Sequence, residues 1–297
     1  MKILTRFKFA FAFLILFPVI PAITVGYAAE GSGQEAIREI KHIAGDVYRF
    51  RNNFHYSVFM VTPEGVIVTD PINAEAAQWL KAQIAKRFKM PIKYLIYSHD
   101  HADHIAGGEV FADTATVISH ENAKIHILGE DRPTAVPDIT FSDRMSLVLG
   151  GKTVELIYLG RNHSDNMIVM HFPAEKILFA VDIVTRNSLP YKNFPNVYIE
   201  DLIESLKRVE AMDFEILAPG HGPLGFWADV APHRRYIEQL RAQVLEHMRA
   251  GKSVDEIKRR VTMDRYKNWA YYDEWLEPNI EGMFRHLSLY RRANIFD

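Results

Sequence analysis

At 297 residues the chain can build one large domain or two small ones around an ample core. Its 48% hydrophobic and 24% charged residues are ordinary for a soluble globular protein, and a formal net charge of −2 gives no sign of a nucleic-acid surface. The absence of cysteine excludes disulfides, zinc knuckles, thiolate metal ligands, a cysteine nucleophile and a cysteine-linked lipid anchor.

The N-terminus has the pattern of a targeting segment. Lys2, Arg6 and Lys8 precede an apolar run from Phe9 to Val25, and small residues lead to a cleavage site near Ala28. Pro18 and Pro21 break a run already short for a membrane span, so residues 1–28 are expected to be a cleaved signal peptide. Losing these three positive charges takes the formal charge from −2 to −5 and predicts a periplasmic or secreted protein without stable membrane insertion. Residues 29–36 read as a Gly/Ser linker.

From Ile37 to Asp70 the pattern is short strands, including Val47–Phe50, Ser57–Val61 and Val66–Val68. Residues 73–88 carry Ala, Leu and Ile at helical spacing, with Asn73 as N-cap. The strand Ile92–Tyr97 delivers His99-Asp100-His101-Ala102-Asp103-His104 at its C-terminal end, where ligands bind in mixed α/β folds. A short helix is expected from Ile105, then a strand at 116–119, a helix at 121–127 and a polar loop at 129–138. Strands recur at 146–149, 153–159, 166–171, 176–181 and 214–218, with a helix over 199–211. Beyond Trp227 the pattern is helical, near 231–249, 253–261 and 277–292. One domain of strands and layered helices over 37–225, with a helical C-terminal extension over 226–297, fits this order.

Three imidazoles and two carboxylates within six residues make a poor core and an odd surface. In an extended stretch His99 and His101 project to one side and grip one cation, while Asp103 and His104 turn toward a second. Three later residues of ligand type sit at strand ends or in glycine-bearing loops: His163, Asp182 and His221. Each is weak alone, since a lone loop His is more often a solvated residue. Together with the cluster they form an ordered set.

The order H-x-H-x-D-H, His, Asp, His resembles the signature of the metallo-β-lactamase superfamily, over about residues 37–225. The resemblance implies an α/β, four-layer αββα sandwich and a dinuclear metal site. It assigns His99, His101 and His163 to one metal and Asp103, His104 and His221 to the other, with Asp182 bridging both. Asp70 matches the acid that precedes the motif, holding the motif loop or an imidazole N–H from behind. All-N/O ligation suits two Zn²⁺, with Mn or Fe compatible with the same donors. The implied chemistry is hydrolysis of an ester, lactone, lactam or related amide by a water acidified between the metals, with Asp103 orienting it.

Departures narrow the branch. Asp182 stands where β-lactamases of the cysteine-ligand type carry Cys, and Thr185 stands where they carry Lys and acyl-homoserine lactonases carry Tyr. Arg186, Tyr191 and Lys192 on the following loop are candidate substitutes for substrate binding. His163-Ser164-Asp165-Asn166 resembles, in a form one residue shorter, the H-x-x-D-N stretch of β-lactamase-type members. A thioesterase of the glyoxalase II type is the alternative, although no basic glutathione clamp is evident, and a non-catalytic accessory metal-binding protein is the other. Phe54 and His55, in an early hairpin loop, are candidate rim residues of the pocket, with His55 expected at the surface rather than as a ligand. His42, His120, His126, His171, His233, His247 and His286 are expected at the surface too. The aromatic stretch Tyr266–Trp275 is expected in helix packing, with Trp269 as a candidate pocket wall and a homodimer contact as the other use of that face. The partner implied is a small-molecule substrate.

Overall fold

The computed structural model describes residues 36–291, which belong to one compact unit starting at Ala36. The expected signal peptide and residues 29–35 of the linker lie outside the described residues.

Strand alternation sets the layers, because successive side chains point to opposite faces. The first sheet holds seven strands in chain order: β1 (Arg38–Ala44), β2 (Val47–Asn52), β3 (His55–Thr62), β4 (Gly65–Thr69), β5 (Ile92–Ile96), β6 (Thr116–His120) and β7 (Ile139–Phe141). β1 to β4 form an antiparallel meander, and β4 to β7 run parallel through helical crossovers. The second sheet holds β8 (Arg144–Leu149), β9 (Lys152–Tyr158), β10 (Ile168–Phe172), β11 (Ile177–Phe179), β12 (Ile216–Ala218) and β13 (Gly225–Phe226). Only β11 and β12 pair in parallel there. Among the described residues the α-helices are α1 (Ala74–Phe88), α2 (Ala102–Ile105), α3 (Glu121–Gly129), α4 (Ile199–Glu210), α5 (Val230–Arg249), α6 (Val254–Lys258) and α7 (Tyr272–Arg291).

On the outer face of the first sheet, Phe59, Val66, Val68 and Leu95 meet Ala76, Ala77, Leu80 and Ile84 of α1 and Ile127 of α3. The opposite face presents Val58, Met60, Ile67 and Ile96 to the second sheet, which is covered in turn by α4 and α5. Two sheets between helical layers give the α/β sandwich. Asn73 caps α1, its side chain accepting from the Ala76 N–H at 2.9 Å. The helix ends at Lys89 in the left-handed region.

Four elements differ from the sequence reading. The motif helix is α2 itself, so Asp103 and His104 lie on a helical turn whose N-cap is His101, rather than before a helix starting at Ile105. β7 and β13 are two- or three-residue edge strands too short to leave a periodic signal. The last helix begins at Tyr272 rather than 277, and Pro278 sits inside it.

Candidate metal centre

The site forms where strands of both sheets end. β5 runs into Tyr97 and Ser98, and the Ser98 carbonyl accepts from the Ile168 N–H at 2.9 Å, joining the motif to β10 of the second sheet. β11 and β12 continue side by side past their ends: Gly220 N–H donates to the Val181 carbonyl at 2.8 Å, which sets Asp182 beside His221. Gly220 is needed there. A Cβ would stand 2.4 Å from Val181 Cγ1 and 3.0 Å from His104 Cε1.

Asp70 is buried at the root of the motif. Its carboxylate accepts from the Ser98 N–H at 2.8 Å and from the Ser98 hydroxyl at 2.7 Å, and it lies 3.5 Å from His104 Nδ1. Ser98 Oγ in turn meets His99 Nδ1 at 2.9 Å, and the Phe54 carbonyl meets His221 Nδ1 at 3.3 Å. Three imidazoles are thus approached from behind at Nδ1, which leaves Nε2 facing the centre.

The structure brings all seven predicted ligand residues together. Ligand atoms of His99, His101, His163 and Asp182 lie within 4.8 Å of one another, as do those of His104, Asp182 and His221. One Asp182 oxygen is 3.6 Å from His99 Nε2, 3.4 Å from His163 Nε2 and 3.2 Å from His104 Nε2; the other is 3.3 Å from His221 Nε2. His101 Nδ1 faces His163 Nε2 at 3.0 Å. Asp103 Oδ2 is 3.6 Å from His104 Nε2 and 3.8 Å from His221 Nε2.

These groups suit cations rather than each other. His99 Nε2, His104 Nε2 and Asp182 Oδ1 are buried without a hydrogen bond of acceptable geometry, although they sit among donors and acceptors. Orphaned polar atoms in a low-dielectric site are costly, and shared cations satisfy them. Burial holds His99 well below its ordinary range, lowers His101 and His221, and takes His163 down to about 4, so these imidazoles are neutral and free to ligate. Burial acts in the same direction on His104, but Asp182 and Asp70 outweigh it and hold that imidazole protonated in the bare chain. Burial pushes Asp103 upward, yet the hydrogen bond from His55 and the His104 charge hold it well below the usual carboxylate range.

Beside His101 opens a cleft of about 250 Å³, lined by Asp100, Arg132, Asn166, Asn196 and Tyr198 among others. Sequence reading missed its frame. Asn166 donates to Asp100 Oδ1 at 2.8 Å, and Arg132 pairs with Asp100 at 3.0 Å and Glu130 at 2.7 Å. Phe54, 76% exposed at the β2–β3 hairpin tip, stands beside the loop that carries His221.

Several expectations are corrected. His55 is not a bystander: it reaches Asp103. Arg186 is tied to the β13 end, donating to the Leu224 carbonyl at 3.2 Å and lying 3.5 Å from Asp229. Thr185 closes a local turn onto the Ser188 carbonyl. Tyr191 packs on Trp275 of α7, with Lys192 over its ring. Trp269 packs against Tyr236 and Tyr266, in line with the helix-packing expectation rather than the pocket-wall one. The loop after Asp182 does reach the cleft, but through Asn196 rather than these residues. His120 and His233 are buried instead of exposed; His120 caps α3 and packs at a tilt on Tyr158, and His233 faces the Thr185 backbone from α5.

Comparisons with known proteins give the family and the fold. The family model described as metallo-beta-lactamase superfamily matches residues 51–221, more than half of the chain. The chain is 26% identical over 222 residues to the 2,4-dinitroanisole O-demethylase subunit alpha of Nocardioides sp., covering 72% of this chain and 66% of that protein. It is 26% identical over 165 residues to the type 2 metallo-beta-lactamase of Bacteroides fragilis, covering 54% and 66%, and 25% identical over 204 residues to a hydroxyacylglutathione hydrolase of Francisella tularensis, covering 66% and 77%. The match thus spans just under two thirds of the first two relatives. Among solved structures, a metallo-beta-lactamase from Pontibacter korlensis shares the fold, with a TM-score of 0.62 and 22% identity over 68% of this chain and 99% of that one. The chain belongs to the metallo-β-lactamase superfamily.

Proposed function

We propose that the protein is an exported, metal-dependent hydrolase that cleaves a carbonyl-centred bond of a small molecule. The observation that carries this reading is the convergence of His99, His101, Asp103, His104, His163, Asp182 and His221 from four separate loops, with buried nitrogen and oxygen atoms left unpartnered. Two divalent cations held there, zinc by the donor set, supply Lewis acidity and an acidified water at neutral pH.

The chain's own residues do the rest. Asp182 faces both halves of the imidazole set, so one buried carboxylate balances two cations. Asp103 is half exposed and ionised, so it would accept a hydrogen bond from the attacking water and orient it. Asp70 and Ser98 keep the imidazoles oriented. The cleft at His101 offers Asn166, Asn196 and Tyr198 for the polar part of a substrate, and exposed Phe54 offers an apolar wall.

The names of the relatives span a lactam, a glutathione thioester and an aryl ether, so the shared metal set does not choose the bond. Metal analysis and a panel of chromogenic esters, thioesters, lactones and β-lactams test the reading. Two equivalents of metal and turnover of at least one class, lost to a chelator and restored by zinc, support it. Full metal with no turnover on any class favours the accessory protein. Export is tested by fractionating cells that express the full chain and sequencing its N-terminus: recovery outside the cytoplasm with a start near Ala29 supports it, and recovery in the cytoplasm with Met1 intact contradicts it.

A further inference from the structure

The cluster contains an eighth ligand-type side chain. His55 opens β3 beside the tip of the β2–β3 hairpin, and this hairpin is fastened to the loop that carries His221. His55 and His221 form an isolated antiparallel bridge, and Tyr56 N–H donates to the Gly220 carbonyl at 2.8 Å. From the same hairpin, the buried Arg49 guanidinium donates to the Pro219 carbonyl at 2.9 Å and the Gly222 carbonyl at 2.7 Å, with its face on the Tyr56 ring. The imidazole of His55 is therefore delivered by a fixed backbone, not by a loose loop.

Its Nε2 lies 3.3 Å from Asp103 Oδ2, closer than His104 or His221 comes to that oxygen. Ligand atoms of His55, Asp103 and His221 all lie within 4.8 Å of one another, and the His55 and His221 rings are 4.8 Å apart. The His99 half of the centre offers three imidazoles, His99, His101 and His163, with Asp182. Without His55 the other half has two imidazoles; with it, three imidazoles, those of His55, His104 and His221, approach the Asp103 carboxylate.

Resting on the metal-centre reading above, we propose that His55 is an additional ligand of the cation held by Asp103, His104 and His221. Its ligation clamps the hairpin, and Phe54 with it, over the second metal. The two halves become alike in imidazole count, so the second cation binds nearly as tightly as the first.

The test titrates Zn²⁺ and Co²⁺ into the stripped wild-type protein and its His55→Ala and His55→Gln variants. The proposal predicts two tight equivalents in wild type. In both variants the first equivalent is unchanged, and the second weakens by about 100-fold or more, at or beyond the top of the roughly 10–100-fold range for an outer partner. It also predicts that the visible Co²⁺ bands of the second equivalent change in H55A and that added imidazole restores them. Two equivalents of wild-type affinity and an unchanged Co²⁺ spectrum in both variants overturn the ligand assignment, even if turnover falls, and leave the metal centre standing. A wild-type protein that binds no metal overturns the metal centre and this proposal together.

Discussion

The motif loop and the loop after Asp182 are anchored in opposite ways. Residues 98–105 are held from close by: Asp70 at the end of the neighbouring strand binds Ser98 twice, and Ser98 binds His99. The 185–197 loop is held from the far end of the chain. Asn279 of α7 donates to the carbonyls of Pro190 and Lys192, Arg285 donates to that of Asn193 at 2.8 Å, and Leu189 and Asn187 exchange hydrogen bonds with Ala270. Asn187, Lys192, Phe194 and Asn196 have positive φ, a conformation that side-chain-bearing residues hold only under tertiary constraint. Gly282 lets α7 reach this loop, since a Cβ there would stand 2.2 Å from the Asn193 carbonyl oxygen. The loop that holds the chemistry is specified beside itself, whereas the loop that shapes the cleft is specified by the C-terminal helix.

That contrast predicts two separable classes of variant. The largest effect falls on the metal side. Asp182→Ala removes the carboxylate shared by both halves, so metal analysis should find one equivalent or fewer and turnover should be lost; retention of two equivalents would break the bridging assignment. Asp70→Asn strips the support of Ser98 and His104, and a metal titration should show affinity lower by roughly 10–100-fold.

The helix side should show the reverse pattern. Gly282→Ala overpacks α7 against the loop, at a cost of about 1–3 kcal/mol in a denaturant titration. KM should change more than kcat, and metal content should stay full. His233, buried under Thr185, has its pKa lowered to about 4 by burial. The unfolded chain takes up a proton near pH 6.5 that the folded chain refuses until about 4. Stability is therefore complete above about pH 6.5 and falls by about 3 kcal/mol as the pH drops through that window. Thermal melts of His233→Asn should show a shallower acid limb than wild type, and parallel limbs would count against it. Asn279→Ala, which loses bonds to Pro190, Lys192 and Tyr236, should cost about 1–3 kcal/mol with unchanged metal content.

The same contrast explains what the sequence made legible. His99, His101, Asp103 and His104 were readable as a dense cluster of ligand-type residues, and His163, Asp182, His221 and Asp70 through the resemblance of their order to the superfamily signature. The alternating strands and the capped helix α1 were readable from local periodicity. His55 was not, because its place depends on the β2–β3 hairpin docking on the 219–222 loop, a pairing across more than 160 positions that leaves no local signal. The cleft was half legible. The loop after Asp182 was the right segment, but α7 draws Tyr191 and Lys192 toward itself and leaves Asn196 at the cleft. Nothing in the residues near 191 records that pull.

The measurement that tests the central claim most directly is the metal stoichiometry of the purified chain, read with the hydrolytic activity of the stripped and reloaded protein. Two equivalents of zinc, with activity that disappears on stripping and returns in step with the second equivalent, is the predicted result. A chain that hydrolyses its substrate equally well after all metal is removed would contradict it.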